Sequence, residues 1–251
     1  MDWSIYFKHI TIIGSRYMII ATLAFLLFYV VLRKTIAGRK IQQRFPKLAD
    51  YAREICFSVI TIFILAIVPS LVLGNKELTK HTHFYTDIKQ HGIAWFIIAF
   101  PIMAFVHDTY FYWMHRLMHH PRLFKIVHLV HHKSTNPSPF AAYAFHPLEA
   151  IIEAGIFLVF VFIMPVHLYH LLFFFLFMII YNVYGHLGWE LYPKGFNRHR
   201  LGKWINTSVN HNMHHQYFKG NYGLYFLFWD RMMGTIREDY DAKFDEVKSR
   251  R

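Results

Sequence analysis

Long apolar runs fix the architecture of this chain before any other feature is read. They cover residues 10–32, 55–73, 92–105 and 151–185. A helix needs about 20 such residues to cross a bilayer core, and only helices and closed barrels satisfy their backbone groups there. The first run contains Arg16, so its span is expected to begin after that residue. The second carries Pro69 near its end, a place for a kink or a stop. The third continues as a helical pattern into a polar stretch. The fourth is broken at Pro165 and reads as a hairpin of two spans, or as a shorter pair that dips in and returns. The expected fold is all-α: a multi-pass membrane protein with about four transmembrane helices and a helical histidine-box metal domain on the cytoplasmic side.

Charge gives the orientation. Arg33, Lys34, Arg39, Lys40, Arg44 and Lys47 follow the first run, and Arg116, Arg122, Lys125 and Lys133 follow the third. Cationic loops stay on the cytoplasmic side. Residues 74–91 are polar and charge-balanced and fall on the far side. The net charge of +12 does not point to nucleic acid, because the cations border apolar runs. A single cysteine, Cys56, excludes a disulfide framework and a CxxC zinc site. Three segments are expected: N-terminal helices and loops over 1–91, a catalytic domain over 92–240 and a polar tail over 241–251. The membrane is a bacterial inner membrane or the endoplasmic reticulum, and no pattern sets the oligomeric state.

Histidines carry the chemistry. His115 and His119 are spaced i, i+4. His128, His131 and His132 form HxxHH, and His211, His214 and His215 repeat it. Residues at such spacings share a helical face, so each box is expected to present its ligands from one face. Eight imidazoles exceed the four that one tetrahedral ion takes, and suit two metals in nitrogen-rich shells. His186 is a ninth ligand candidate, one turn after Asn182 at the end of the last apolar run. A polar pair is expensive there.

Several neighbours are candidates to support the ligands. Asp108 steps onto the stripe of Tyr112, His115 and His119, and two roles are open to it. It can accept the outer N–H of a ligating imidazole, or cap and pair with Arg116 or Arg122. Asn182 is a weak ligand or an outer partner, Glu190 a support for His186, and His146 an outer partner or a structural group. Asp230 orients a histidine or pairs with Arg231. His107, His167 and His170 are expected at the membrane interface, and His120 lies off the ligand stripe.

The sequence lacks HExxH, a Gly-rich phosphate loop and a GxSxG elbow. A histidine site with open positions beside a membrane suits iron activating O2 against a lipid C–H bond, for which zinc lacks redox chemistry. Imidazole accepts both metals, so the ligands alone do not choose between them. A metal transporter would hold its polar ligands near the bilayer midplane. Here the boxes lie in basic, amphipathic stretches outside the apolar runs.

The order HRLMH, HLVHH and HNMHH, with YFYW before and FWDRMMGT after, resembles the sterol desaturase / fatty acid hydroxylase superfamily over about half the chain. TNPSPFAAYAFHPLEA and HHQYFKGNYGLYFLFWDRMMGT are most similar to the sterol C-5 desaturases. The resemblance implies an integral membrane non-haem di-iron enzyme using O2 and two electrons. It implies His115, His119, His128, His131, His132, His186, His211, His214 and His215 as metal ligands and nothing catalytic beyond them. Some family hydroxylases carry a histidine where this chain has Asn182, which favours the sterol branch and leaves a tenth ligand open. With no haem-carrier domain fused, the electrons are expected from a separate protein and the lipid from the bilayer. The expected outcome is desaturation, with hydroxylation or ether-lipid monooxygenation as the alternative.

Overall fold

The first helix begins before its apolar run. In the computed structural model, which describes residues 2–250, the Asp2 carboxylate accepts from the Ser4 and Ile5 amides at 2.8 and 3.4 Å and starts α1, Trp3–Phe25. A π-helical turn, Leu26–Val31, extends it. Arg16 therefore lies inside the span and not ahead of it. The position is tolerated because its side chain lines a cleft between helices. Helix α2, Leu48–Leu73, runs through Pro69 without ending. Such prolines are tolerated in membrane helices because neighbouring groups satisfy the freed backbone.

After the short α3, Lys76–Lys80, and β1, Phe84–Tyr85, comes α4, Gly92–Met118. It carries the third apolar run and His115, with His119 as its C-cap. In the second box His128 joins α5, Pro121–Val127, to α6, Leu129–His132, which holds His131 and His132; the third box lies on α9, Ser208–Tyr217. Between them, α7, Pro147–Ile163, and α8, Leu168–Gly185, form the expected hairpin about Pro165, with β2, Val166–His167, at its turn. Helices α10, Phe228–Met232, and α11, Tyr240–Ser249, finish the chain. Residues 3–31, 48–73, 92–118 and 168–185 are long and apolar enough to cross a membrane. The fold is thus an all-α, multi-pass membrane protein. In its C-terminal helix Tyr240, Phe244 and Val247 pack with Val209 and Met213 of α9.

The bundle has two unlike ends. At one, Phe84 and Tyr85 pair in parallel with Val166 and His167, and Trp95 donates to the Pro165 carbonyl at 2.9 Å. His167 and His170 lie here too, but buried: their Nε2 atoms face the Thr86 and Phe96 carbonyls at 2.9 and 2.7 Å. The ends of α4 and α8 and the three boxes share the other end. The basic loop after α1 folds onto it: the Ile41 amide donates to the Gly188 carbonyl at 2.9 Å, and the Tyr29 hydroxyl donates to the Leu187 carbonyl at 3.1 Å. Outward faces expose Leu23, Ile97, Ile163 and Phe173, as a lipid-facing surface requires.

Candidate metal centre

The nine candidate ligands gather into two groups, and the division cuts across the sequence boxes. His115, His119, His128, His132 and His214 form one group, and His131, His186, His211 and His215 form the other, with ligand atoms inside each group within 4.8 Å of one another. Eight of the nine are buried and His119 is half-buried. The expectation that each box serves one face is corrected here. Adjacent residues on a helix point about 100° apart. His131 and His132 therefore turn to different groups, as do His214 and His215, and each HxxHH box spans both.

Backbone carbonyls set the rings. The Nδ1 atoms of His115, His186, His214 and His215 lie 2.9, 2.8, 2.7 and 3.0 Å from the carbonyl oxygens of Tyr222, Asn182, Gly220 and Ser134. A carbonyl only accepts, so each Nδ1 carries the proton and donates, and each Nε2 keeps its lone pair. In the first group the buried Nε2 atoms of His115, His128 and His214 have no partner in the protein. The second group brings its Nε2 atoms together: His186 is 3.1 Å from His211, 3.1 Å from His215 and 3.4 Å from His131. Neighbouring nitrogens around one ion, with bonds of about 2.0–2.1 Å, stand roughly 3.0–3.4 Å apart. The donor sets fit two metal ions.

Burial also keeps the rings neutral, as ligation requires. It holds His128, His131, His132, His211, His214 and His215 well below the ordinary histidine range, with neighbouring imidazoles lowering them further. Burial brings His186 down to about 4, and burial plus the adjacent His115 brings His119 down to about 2.

The expected supporting residues act on the loops around the ligands. Asp108 accepts from the amides of Tyr225 and Phe226 at 2.7 and 3.1 Å and hydrogen-bonds to no histidine among the described residues. Asp230 accepts from the Tyr222 and Gly223 amides and the Thr235 hydroxyl, at 2.9, 2.8 and 2.7 Å. Together they pin the segment whose Tyr222 carbonyl takes His115. Glu190 accepts from the Val209 amide in the first turn of α9 and from the Tyr184 hydroxyl, not from His186. Asn182 meets His186 only through its backbone, while its side chain donates to the Ala142 carbonyl at 2.8 Å. His146 caps α7, and His120 caps α5. His107 is buried and not interfacial, with Nδ1 2.9 Å from the Tyr225 hydroxyl.

Sequence reasoning missed Glu149. Its Oε1 lies 2.8 Å from His128 Nδ1, both side chains buried, in an approach off the hydrogen-bond line that is chiefly electrostatic. A lone carboxylate in the first turn of an apolar helix was the available signal. Beside the groups runs a cleft of about 200 Å³, lined mostly by apolar side chains from α1, α2, α4, α7 and α8. Phe111 and Phe145 stand at its inner end, their rings 4.9 and 5.2 Å from those of His115 and His131.

Known proteins are similar to this chain in sequence. The fatty acid hydroxylase family matches residues 100–235. A Delta(7)-sterol 5(6)-desaturase of Gibberella zeae is 35% identical over 161 residues, covering 64% of this chain and 48% of that protein. Lathosterol oxidase of Rattus norvegicus is 31% identical over 188 residues, covering 74% and 61%, and that of Homo sapiens is 30% identical over 187, covering 74% and 60%. The chain thus spans about half to three-fifths of the length of these relatives. No solved structure matches. With the family's match running over all three boxes and His186, the chain belongs to the fatty acid hydroxylase family, within the sterol desaturase superfamily.

Proposed function

We propose that this protein is an O2-dependent lipid oxidase that holds two iron ions in its two histidine groups and desaturates a sterol-like C–C bond. The carrying observation is the pair of buried groups, with neutral rings and inward lone pairs, beside an apolar cleft. Likeness to proteins named for sterol desaturation and lathosterol oxidation supports the substrate class. Iron held there supplies the redox chemistry: O2, two electrons, two protons and the two hydrogens lost from the lipid leave as two water molecules.

The chain's own residues do the rest. The carbonyls of Tyr222, Gly220, Asn182 and Ser134 fix ring orientation and tautomer before a metal arrives. Glu149 places a carboxyl oxygen against His128 Nδ1, where it would hold that ring's orientation and strengthen it as a ligand. Phe111 and Phe145 wall the reacting end of the cleft with apolar surface and keep water from it. The cationic loops after α1 and α4 orient the histidine end to the cytoplasm. Their charge favours an acidic, separate electron-carrier protein.

A hydroxylase of the same architecture is the second reading, favoured by the description of the matched family. Metal content and lipid product, measured on one purified sample with His131→Ala alongside, test both. About two irons per chain, fewer in the variant, and a product lacking two hydrogens are expected. A product with one added oxygen atom selects the hydroxylase. Folded protein that keeps zinc under iron-replete expression and takes up no O2 refutes the di-iron reading.

A further inference from the structure

The cleft is not uniformly apolar, and its polar groups are unevenly provided for. His9 and Asn182 spend their side chains on Ser70 and on the Ala142 carbonyl, both at 2.8 Å. Glu153 does not, and His107 does so with one ring nitrogen only. Glu153 projects from α7 into the cleft and, among the described residues, takes part in no hydrogen bond or ion pair. His107, on α4, uses Nδ1 on the Tyr225 hydroxyl, but its buried Nε2 has no partner. A carboxyl group and a ring nitrogen left unpaired inside a membrane helix bundle are expensive. A ligand that completes their hydrogen bonds removes that penalty.

Their placement says which part of a ligand they meet. Glu153 lies one turn, about 6 Å, along α7 from Glu149, which faces His128. His107 lies two turns, about 12 Å, along α4 from His115. Both sit between the metal end and the outer end of the cleft, where His9 and Leu168 line it. Their chemistry selects the group. A hydroxyl both donates and accepts, so it can give its proton to one of the pair and accept from the other. A carboxylate or sulfate can only accept and would face Glu153. Arg16 and Tyr143 also line the cleft.

We propose that Glu153 and His107 form a hydroxyl-reading subsite that positions a neutral lipid alcohol so that a carbon near its hydroxyl meets the histidine groups. The inference deepens the lipid-oxidase reading and rests on it. Both residues act as specificity-determining groups, since they touch the substrate away from the carbon that reacts. A site built to bond a hydroxyl discriminates strongly against an analogue that lacks it, because its polar groups are then left unpaired.

The test is equilibrium binding to the full-length protein in lipid nanodiscs, without turnover. Five tritiated probes are used: a Delta(7)-sterol and its 3-methyl ether, a long-chain fatty alcohol and its methyl ether, and the matching fatty acid. The proteins are wild type, Glu153→Leu, Glu153→Gln and Arg16→Gln. Wild type is expected to prefer an alcohol over its ether by about tenfold or more. Glu153→Leu should abolish that preference by weakening the alcohol alone, and Glu153→Gln should restore part of it. If both skeletons bind equally well as alcohol and ether, or if Glu153→Leu weakens both forms alike, the subsite does not exist. A fatty acid that binds tighter than the alcohol and loses its advantage in Arg16→Gln also overturns it, in favour of an anion site. Discrimination seen only with the aliphatic pair keeps the subsite and removes the sterol assignment.

Discussion

The two histidine groups are built to different plans. The first has five rings, a carboxylate against one of them, and three Nε2 atoms with no protein partner. The second has four rings, with Nε2 atoms already 3.1–3.4 Å apart, and no carboxylate among its members. Imidazoles of one group are neutral and equivalent on paper; a carboxylate behind one makes it a stronger donor. The pair is therefore an asymmetric centre, with a carboxyl outer partner on one side only. Both HxxHH boxes feed both groups, so the asymmetry sits in single residues and not in whole helices.

The largest effects come from removing one ligand from each group. His186→Ala takes a quarter of the second group, and His115→Ala a fifth of the first. On the di-iron proposal, each variant is expected to hold about one iron per chain against about two expected for the wild type, and to lose more than roughly a hundredfold in turnover, beyond what outer partners alone produce. Iron analysis of the two purified variants checks this. Loss of both ions from either variant would show that the groups bind as a unit and erase the distinction.

Glu149→Gln sharpens the comparison, because it replaces the carboxyl group facing His128 and leaves the ligand count alone. It should weaken metal held by the first group about 10–100-fold, or ~1.4–2.8 kcal/mol, and leave the second unchanged. Competition with a graded series of chelators reads both affinities in one titration. Equal weakening of the two ions would mean that the carboxylate acts on the whole centre.

Acid probes what the groups share. Their rings are neutral when folded and titrate below the unfolded value of 6.5, down to about 4 for His186 and about 2 for His119. Below pH 6.5 the unfolded chain therefore binds more protons than the folded one, and stability falls as pH falls. The contribution is fully present above 6.5 and drains away through about 4. Bound metal steepens the loss, since protons compete for its ligands. Unfolding midpoints in detergent at pH 7 and pH 5, with and without iron, measure it. Midpoints that do not move between those values would contradict the neutral-ring account.

What was legible in the sequence followed from periodicity and solvation. Apolar runs gave the spans, basic borders matched the end where the boxes meet, and all nine ligand candidates converge. The division into groups was not legible, because spacing says which residues share a face, while adjacent histidines face different partners once α4, α6 and α9 pack together. Outer partners were harder still. Asp108, Glu190 and Asp230 look like histidine supports by proximity in sequence, yet each accepts from backbone amides: Asp108 from a distant loop, Glu190 from the first turn of α9 and Asp230 from the loop just before it. The carbonyls that orient the rings have no side-chain signature at all. Glu149 alone left a trace, as a carboxylate that an apolar helix has no reason to bury.

Gly185 offers the smallest and most selective break. It is the last residue of α8, and a Cβ there would stand 3.2 Å from His211 Cδ2. That contact is tighter than ordinary packing, so the ring must yield by a few tenths of an ångström. Metal–nitrogen distances tolerate about 0.2 Å, whereas the helix itself gains up to roughly 1 kcal/mol from alanine over glycine. The two effects act on different observables. Gly185→Ala should lower metal affinity in the second group by about tenfold or less, ~1.4 kcal/mol at most, while the metal-free protein melts no lower than wild type. The first group, which does not contain His211, should keep its affinity in the same chelator titration. A loss from the first group instead would mean that a displaced His211 ring is felt across the centre, and that the two shells move together.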